Sequence, residues 1–299
     1  MSLMYNDMFG EHNKIETAIE RLRSLESYAL KLDDEGYYVA DSGGKDSTVI
    51  KQLCIEAGVK FGVHHNHTSV DHPETVYFVR REQQRFRDMG YNYVIEYATD
   101  NDGKRVTMWD LIKKWGYPTQ CARFCCRVLK ERGGTDRVVV TGVRWAESTK
   151  RKNKRGAYEA VTLEKKDKIV LNNDNDNARR LIEQCVKKSK VVVNPIIDWE
   201  DEDVWEYIRS RNLPYNPLYD MGWKRVGCVG CPQNTRNKQE LNLMPKYKQM
   251  YIHSGKAYLE THSESFSKTP EQYYDWWVSH KGAPTKESIT MFDETEEDE

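Results

Sequence analysis

What this chain of 299 residues lacks already narrows its reading. No apolar run approaches the ~20 residues that cross a bilayer, so a membrane-spanning helix is not expected. No charged-then-apolar signal segment opens the sequence, which makes a cytoplasmic location the expectation. No solenoid repeat is visible. The G-x-x-x-x-G-K-[ST] spacing of the Walker loop is missing, and no cysteine follows Cys231. Net charge is nearly absent, at -1, yet the charge is uneven. Residues 150–190 are rich in Lys and Arg, whereas Asp293–Glu299 is almost wholly acidic and reads as a solvated end. Hydrophobic residues make up 38% and aromatics 11%, enough for a folded, soluble protein.

The most informative stretch present is Tyr37-Tyr38-Val39-Ala40-Asp41-Ser42-Gly43-Gly44-Lys45-Asp46-Ser47-Thr48. An apolar run stops at Ser-Gly-Gly-Lys-Asp-Ser, and a helix-compatible run follows, so the order reads strand, tight loop, helix. Two glycines permit positive φ and close approach to backbone. Loop N–H groups at a helix N-terminus suit an anion. Ser42, Ser47 and Thr48 add hydroxyls, and Lys45 adds a point charge. A phosphate chain, hence a nucleotide, is the expected ligand. Asp46 reads as a helix cap, a Mg²⁺ ligand, or both.

Around this loop, apolar periodicity predicts a helix over 13–32 and strands at 37–41, 59–64, 91–97, 137–142 and 190–194. Helices are expected to Ala57, from Asp71-His72-Pro73 onward, and over Thr107–Trp115. Strands alternating with helices imply an α/β, doubly wound, mostly parallel five-stranded sheet of Rossmann-like type, with ligands outside the strands' carboxyl ends. Three segments result: an N-terminal helical part at 1–36, a nucleotide-binding α/β domain at 37–215, and a C-terminal part at 216–299 with a cysteine loop, helices and acidic tail. Residues 150–189 form a polar insertion read as an exposed hairpin or loop. Its Lys150, Arg151, Lys152, Lys154 and Arg155 suit either a nucleic-acid arm or a solvated charged loop. The group His64-His65-x-His67 is read as loop-end histidines near the nucleotide rather than a metal site.

Seven cysteines are present. Cys54 and Cys185 sit in helix-like apolar patterns and read as buried fillers. The others form Cys121-Ala-Arg-Phe-Cys125-Cys126 and Gly227-Cys228-Val-Gly-Cys231-Pro232. Thiolates of a C-x-x-C loop converge on one centre, and a second group completes the set. A [4Fe–4S] cluster ranks first, zinc second, and a redox dithiol at Cys228 and Cys231 third. The adjacent pair Cys125-Cys126 is unusual for structural zinc.

The Ser-Gly-Gly-Lys-Asp-Ser loop resembles that of the PP-loop adenine-nucleotide α-hydrolases, where it holds the pyrophosphate part of ATP. Further blocks follow in order: Thr68–Thr75, Cys125-Cys126-Arg-Val-Leu-Lys130, Thr141-Gly142-Val143-Arg144 through Arg151, Asn194-Pro195…Trp199 with Asp203-Val204-Trp205, and Asn212–Tyr219. Together they resemble the phosphoadenosine phosphosulfate reductase family in the broad sense, over about residues 37–232. Its iron–sulfur adenylylsulfate reductases pair a Cys-Cys segment with a distant C-x-x-C. Two departures stand out. The reductases' C-terminal cysteine nucleophile is missing, and the full SGGKDS loop is kept, which suits ATP.

The resemblance therefore implies the ATP-using sulfur-transfer branch, similar to DNA phosphorothioation or tRNA thiolation proteins. Such an enzyme adenylates a substrate and releases pyrophosphate. Lys45, Asp46, Arg144 and Arg151 are the candidate catalytic residues. Ser42, Gly43, Gly44, Lys45, Asp46, Ser47, Thr48, Thr68 and Gly142 are the candidate nucleotide contacts. Cys125, Cys126, Cys228 and Cys231 are the candidate ligands, with Cys121 as a substitute. Implied cofactors are ATP with Mg²⁺ and a [4Fe–4S] cluster, zinc being the alternative. Implied partners are a sulfur donor such as a cysteine desulfurase, and DNA or tRNA. The competing readings are a phosphoadenylylsulfate or adenylylsulfate reductase using an external thiol, and a non-catalytic nucleotide-binding subunit.

Overall fold

Helical periodicity over 13–32 yields two helices rather than one. In the computed structural model, which describes residues 3–7, 10–131, 133–162, 168–171, 188–262 and 268–279, Met4–Asp7 (β1) and Gly10–Asn13 (β2) pair antiparallel. Asn13 caps α1 (Lys14–Ser24), its side-chain oxygen accepting from the Ile15 N–H at 2.9 Å. The helix breaks at Leu25, before α2 (Glu26–Leu32). The Tyr37 hydroxyl donates to the Leu22 carbonyl, and the Ser24 hydroxyl to that of Arg21. Both compete for carbonyls that would continue the ladder.

All five expected strands form: β3 (Tyr37–Ala40), β4 (Phe61–His67), β5 (Asn92–Tyr97), β6 (Val138–Val140) and β9 (Lys188–Val193). Between them lie α3 (Lys45–Ala57), α4 (Pro73–Asp88), α5 (Met108–Trp115), α6 (Phe124–Leu129) and α7 (Thr149–Lys154). The polar insertion adds β7 (Tyr158–Thr162) and β8 (Lys168–Leu171), so the sheet has seven strands instead of five, in the order β5-β4-β3-β6-β9-β7-β8. Pairings β3–β4, β3–β6 and β6–β9 are parallel, while β7 runs antiparallel to both β9 and β8. The hairpin expected in the insertion forms as β7 and β8, but β7 is built into the sheet against β9 rather than exposed. Tyr158 and Ala160 join the core, but buried Glu159 between them breaks the apolar signal, and its carboxylate accepts from Arg155 Nε and Asn194 Nδ2. The run Asn172–Asn177, Cys185 and the acidic tail lie outside the described residues. No helix among the described residues is long and apolar enough to cross a membrane.

Contacts divide the chain into two units. The first comprises residues 1–66, 73–96 and 133–226. Its core sets Tyr37, Val39, Val63, Val138, Val140, Val191 and Val193 against Leu22, Leu25, Ile50, Leu53, Val79 and Phe86 of the helices, with Val204 and Ile208 of α8 (Asp201–Ser210). Strands later in sequence flank β3 on both sides, so the order reverses between β3 and β6. That reversal is where open α/β sheets bind ligands.

The second unit comprises residues 67–72, 97–132 and 227–299. It packs α5 and α6 with α9 (Asn237–Leu243), α10 (Pro245–Thr261) and α11 (Pro270–Ser279) around Tyr117, Tyr251, Tyr273 and Trp277. Tyr117 stacks on Trp277 with centroids 4.6 Å apart, and the Trp277 indole N–H donates to the Pro118 carbonyl at 2.7 Å. Expected helix 107–115 starts at Met108 because Thr107 serves as its N-cap, paired with Asp110 in a capping box.

Candidate active site

The phosphate-type loop follows β3 in the first unit. Gly43 takes φ 71°, and a Cβ there would stand 2.8 Å from Thr75 Cγ2. Both facts require glycine. Gly44 is the N-cap of α3. Consecutive loop amides are already hydrogen-bonded: Gly43 N–H donates to Asp41 Oδ1 at 2.7 Å, Gly44 N–H to Ser47 Oγ at 3.1 Å, and Lys45 N–H to the Tyr219 hydroxyl at 3.0 Å. Asn216 Nδ2 holds the Gly43 carbonyl and Thr75 Oγ1, each at 3.0 Å. Ser47 and Thr48 are buried and donate back to the Gly44 carbonyl, whereas Ser42 is exposed.

Two cations reach this loop from neighbouring strand ends. Lys45 opens α3 after β3, and Arg144 follows β6. Gly142 brings the two segments together, since a Cβ there would lie 3.0 Å from the Asp46 backbone. Arg144 is 1% exposed. Its Nε donates to Asp46 Oδ1 at 2.6 Å, one terminal nitrogen to Asp201 Oδ1 at 2.5 Å, and the other to the Trp199 carbonyl at 3.2 Å. Lys45 Nζ lies 3.3 Å from Asp201 Oδ1 and 3.6 Å from Asp46 Oδ2. Asp201 itself is more than half exposed. Partial burial pushes its carboxyl up, but Arg144 and Lys45 outweigh that and hold it below the usual range. Asp46 is thus not the helix cap; it is the anchor of Arg144.

Beneath the loop lies a buried charge group. Lys51 is fully buried, with Nζ 2.7 Å from Asp41 Oδ2 and 3.0 Å from Glu82 Oε2. The Tyr93 hydroxyl also donates to Asp41 Oδ2, and His65 Nδ1 meets the Asp41 carbonyl at 2.9 Å. Burial raises the Asp41 pKa, yet Lys51 above all pulls it well below the carboxylate range. The ionised carboxylate can therefore serve the Gly43 N–H and the Lys51 ammonium together. His65 lies within β4 rather than at its end, beside the start of the loop. His64 instead sits between Glu35 Oε2 at 3.0 Å and Glu96 Oε1 at 2.7 Å.

All five clustered cysteines fall in the second unit as free thiols. Cys125 and Cys126 share a thiol–thiolate hydrogen bond, which raises the former's pKa and lowers the latter's, with Arg123 and Lys130 adding to the lowering. Cys228 and Cys231 lie near enough to act on Cys125 electrostatically. The Cys228 thiol faces Thr68 Oγ1 at 3.5 Å and hydrogen-bonds Lys130. Among the described residues, no three His, Cys, Asp or Glu side chains stand arranged to hold one metal ion. The four thiols are of the donor type a thiolate-bound centre takes, without standing in its arrangement. Binding would replace the Cys125–Cys126 proton with metal, and Arg123 and Lys130 would offset the thiolate charge. Cys121 is exposed.

Of the expected site residues, the fold assembles Ser42, Gly43, Gly44, Lys45, Asp46, Ser47, Thr48, Gly142 and Arg144 in one place. Arg151 stands on α7, and Thr68 falls in the second unit. Asp201, Tyr219, Asn216, Asp41 and Lys51 were not singled out. The only signal for Tyr219 and Asn216 was their Asn-Pro-Leu-Tyr run, and Tyr219 lies 174 residues from the amide it holds.

Comparison with known proteins gives the family of the chain. The phosphoadenosine phosphosulfate reductase domain model matches residues 36–234. An uncharacterized protein of Methanocaldococcus jannaschii is 27% identical over 249 residues, covering 78% of this chain. The chain spans only about half of that relative, 52% of its length. An adenosine 5'-phosphosulfate reductase of Bacillus cereus is 23% identical, covering 76% of this chain and 84% of its own. The phosphoadenylyl-sulfate reductase structure from Candida auris superposes with a TM-score of 0.46 at 18% identity, over 72% of this chain and 89% of that one. The family match spans well over half the sequence, so this chain belongs to the phosphoadenosine phosphosulfate reductase domain family.

Proposed function

We propose that this protein is an ATP pyrophosphatase-type enzyme that adenylates a substrate during sulfur transfer or nucleic-acid modification. The observation that carries this reading is the pair of buried cations, Lys45 and Arg144, set by adjacent strand ends at the sheet's reversal point. A triphosphate on the loop would present its α-phosphorus to an acceptor nucleophile. The new bond forms at that phosphorus, the bond to the β-phosphate oxygen breaks, and pyrophosphate leaves with the electron pair. Lys45 and Arg144 would stabilise the charge gathering there, as fixed cations do in a preorganised site. Asp46, which accepts from Arg144 Nε, would orient that guanidinium and help hold Mg²⁺. Cys125, Cys126, Cys228 and Cys231 would hold a [4Fe–4S] cluster, or zinc, which would supply a thiophilic centre. A sulfur donor such as a cysteine desulfurase, and DNA or tRNA as acceptor, complete the proposal.

A second reading, reduction of a sulfonucleotide with an external thiol, is favoured by the Bacillus cereus relative's coverage. The test is release of AMP and pyrophosphate from ATP by anaerobically purified protein, offered DNA, tRNA and small thiols, with iron and zinc measured on the same sample. Pyrophosphate release supports adenylation. Thiosulfonate formation from adenylylsulfate supports reduction, and nucleotide binding without any turnover would leave a binding subunit. Stoichiometric zinc without iron would remove the cluster.

A further inference from the structure

The second unit carries an open cavity of about 520 Å³ beside the cysteine group. Trp115, Phe124, Arg123, Arg127, Cys121 and Glu131 line it. Trp115 is 43% exposed, unusual for so large an apolar ring. Phe124 braces it edge-to-face with centroids 5.2 Å apart, and Lys114 Nζ stands 5.4 Å from its ring. Arg123 and Arg127 are exposed, as are Lys113 and Lys114 just before Trp115. Against these cations the lining holds one acid, Glu131.

We propose that this cavity receives a nucleotide of a single-stranded nucleic acid, its base stacked on Trp115 and its phosphates held by Arg123 and Arg127. The argument runs from chemistry. An exposed indole face beside guanidinium groups matches a π-face joined to a phosphate, and base–aromatic stacking is sequence-tolerant. A free mononucleotide would favour an enclosed site, whereas an open cavity with Lys114 beside its Trp115 admits a continuing strand. An acidic peptide would use the cations and leave Trp115 idle. Location adds weight: helix α6, which supplies Phe124 and Arg127, also carries Cys125 and Cys126, and Arg123 donates to Cys126 Sγ at 3.3 Å. A strand held here would lie beside the sulfur group. The inference rests on the proposed function only in naming its acceptor.

The experiment is fluorescence anisotropy of labelled oligothymidylate and oligouridylate with the full chain, without ATP, at low and raised salt. Binding should weaken with salt, and Trp115→Ala and Arg127→Glu should each weaken it about tenfold or more. Trp115→Phe should retain most of the affinity, which separates stacking from a folding defect. A stronger response to one oligomer shows which of the two nucleotides the cavity prefers and supports the site. Unchanged binding in Arg127→Glu and Trp115→Ala, or equal competition by polyglutamate, would overturn it. ATP binding is measured on the same samples. Oligonucleotide binding without ATP binding supports the cavity and removes the ATP-dependent reading; ATP binding alone does the reverse.

Discussion

Arg144 meets three acceptors with one planar group: Asp46, Asp201 and the Trp199 carbonyl. A lysine has neither the fork nor the reach to do so. Arg144→Lys is therefore expected to behave almost like Arg144→Ala, lowering ATP-dependent pyrophosphate release by about 10²–10³, the scale for losing a preorganised charge donor. Recovery of near wild-type turnover in Arg144→Lys would show that charge alone suffices. Asp201 predicts the opposite sign. Its exposed carboxylate occupies the cations an incoming phosphate needs, so Asp201→Asn should tighten inorganic pyrophosphate binding several-fold by calorimetry; weaker binding would make Asp201 a structural anchor instead. In the second unit, Glu240 is 5% exposed and accepts from the Gly230 N–H and Asn234 Nδ2. Burial pushes its carboxyl up to about 6 from 4.5. Because the folded-state value is raised, the fold holds a proton more tightly than the unfolded chain does. Stability contributed by that proton is complete below about pH 4.5 and is lost as pH rises through about 6, a fall of roughly 2 kcal/mol. Melting of Glu240→Gln followed across that window should lack this decline.

Elements differed in how well the sequence announced them. Strands β3, β4, β6 and β9 were legible because buried parallel strands carry apolar runs. The loop was legible because its residue types follow directly from anion chemistry. The hairpin of β7 and β8 was legible but the burial of β7 was not, since Glu159 pairs with Arg155 and Asn194 in three dimensions and looks like a surface acid in one. The break at Leu25 depends on the Tyr37 hydroxyl, and the grip on Lys45 depends on Tyr219; both are side chains distant in sequence from their partners. Trp205 shows how such support is layered, standing edge-on to both Tyr215 and Tyr219. The junction of two elements offers a direct test. In Gly142→Ala the new methyl would press on the Asp46 backbone at 3.0 Å. The β6 and α3 segments should part by a few tenths of an ångström, raising the KM for ATP more than it lowers the melting temperature. An unchanged KM would show that the two segments move independently.

At the scale of the molecule, the clustered cysteines and the glycine-rich loop belong to different units. All the clustered cysteines lie in the second, and the loop with its cations lies in the first. Chelator treatment of metal-loaded protein is accordingly expected to lower the melting temperature of the second unit while ATP binding, followed by calorimetry, persists; simultaneous loss of both would show one cooperative structure. The loop's occupied amides have a further consequence. A phosphate can displace the hydroxyls of Ser47 and Tyr219, but the Asp41 carboxylate, tied to Lys51, keeps the Gly43 amide. Recognition then leans on the ammonium and guanidinium rather than on backbone dipoles. In a protein whose overall charge is only -1, little long-range field draws an anion inward. Attraction begins within a Debye length, about 8 Å at physiological ionic strength. Nucleotide capture should depend on ambient salt through local charge at the loop, with little electrostatic steering from afar.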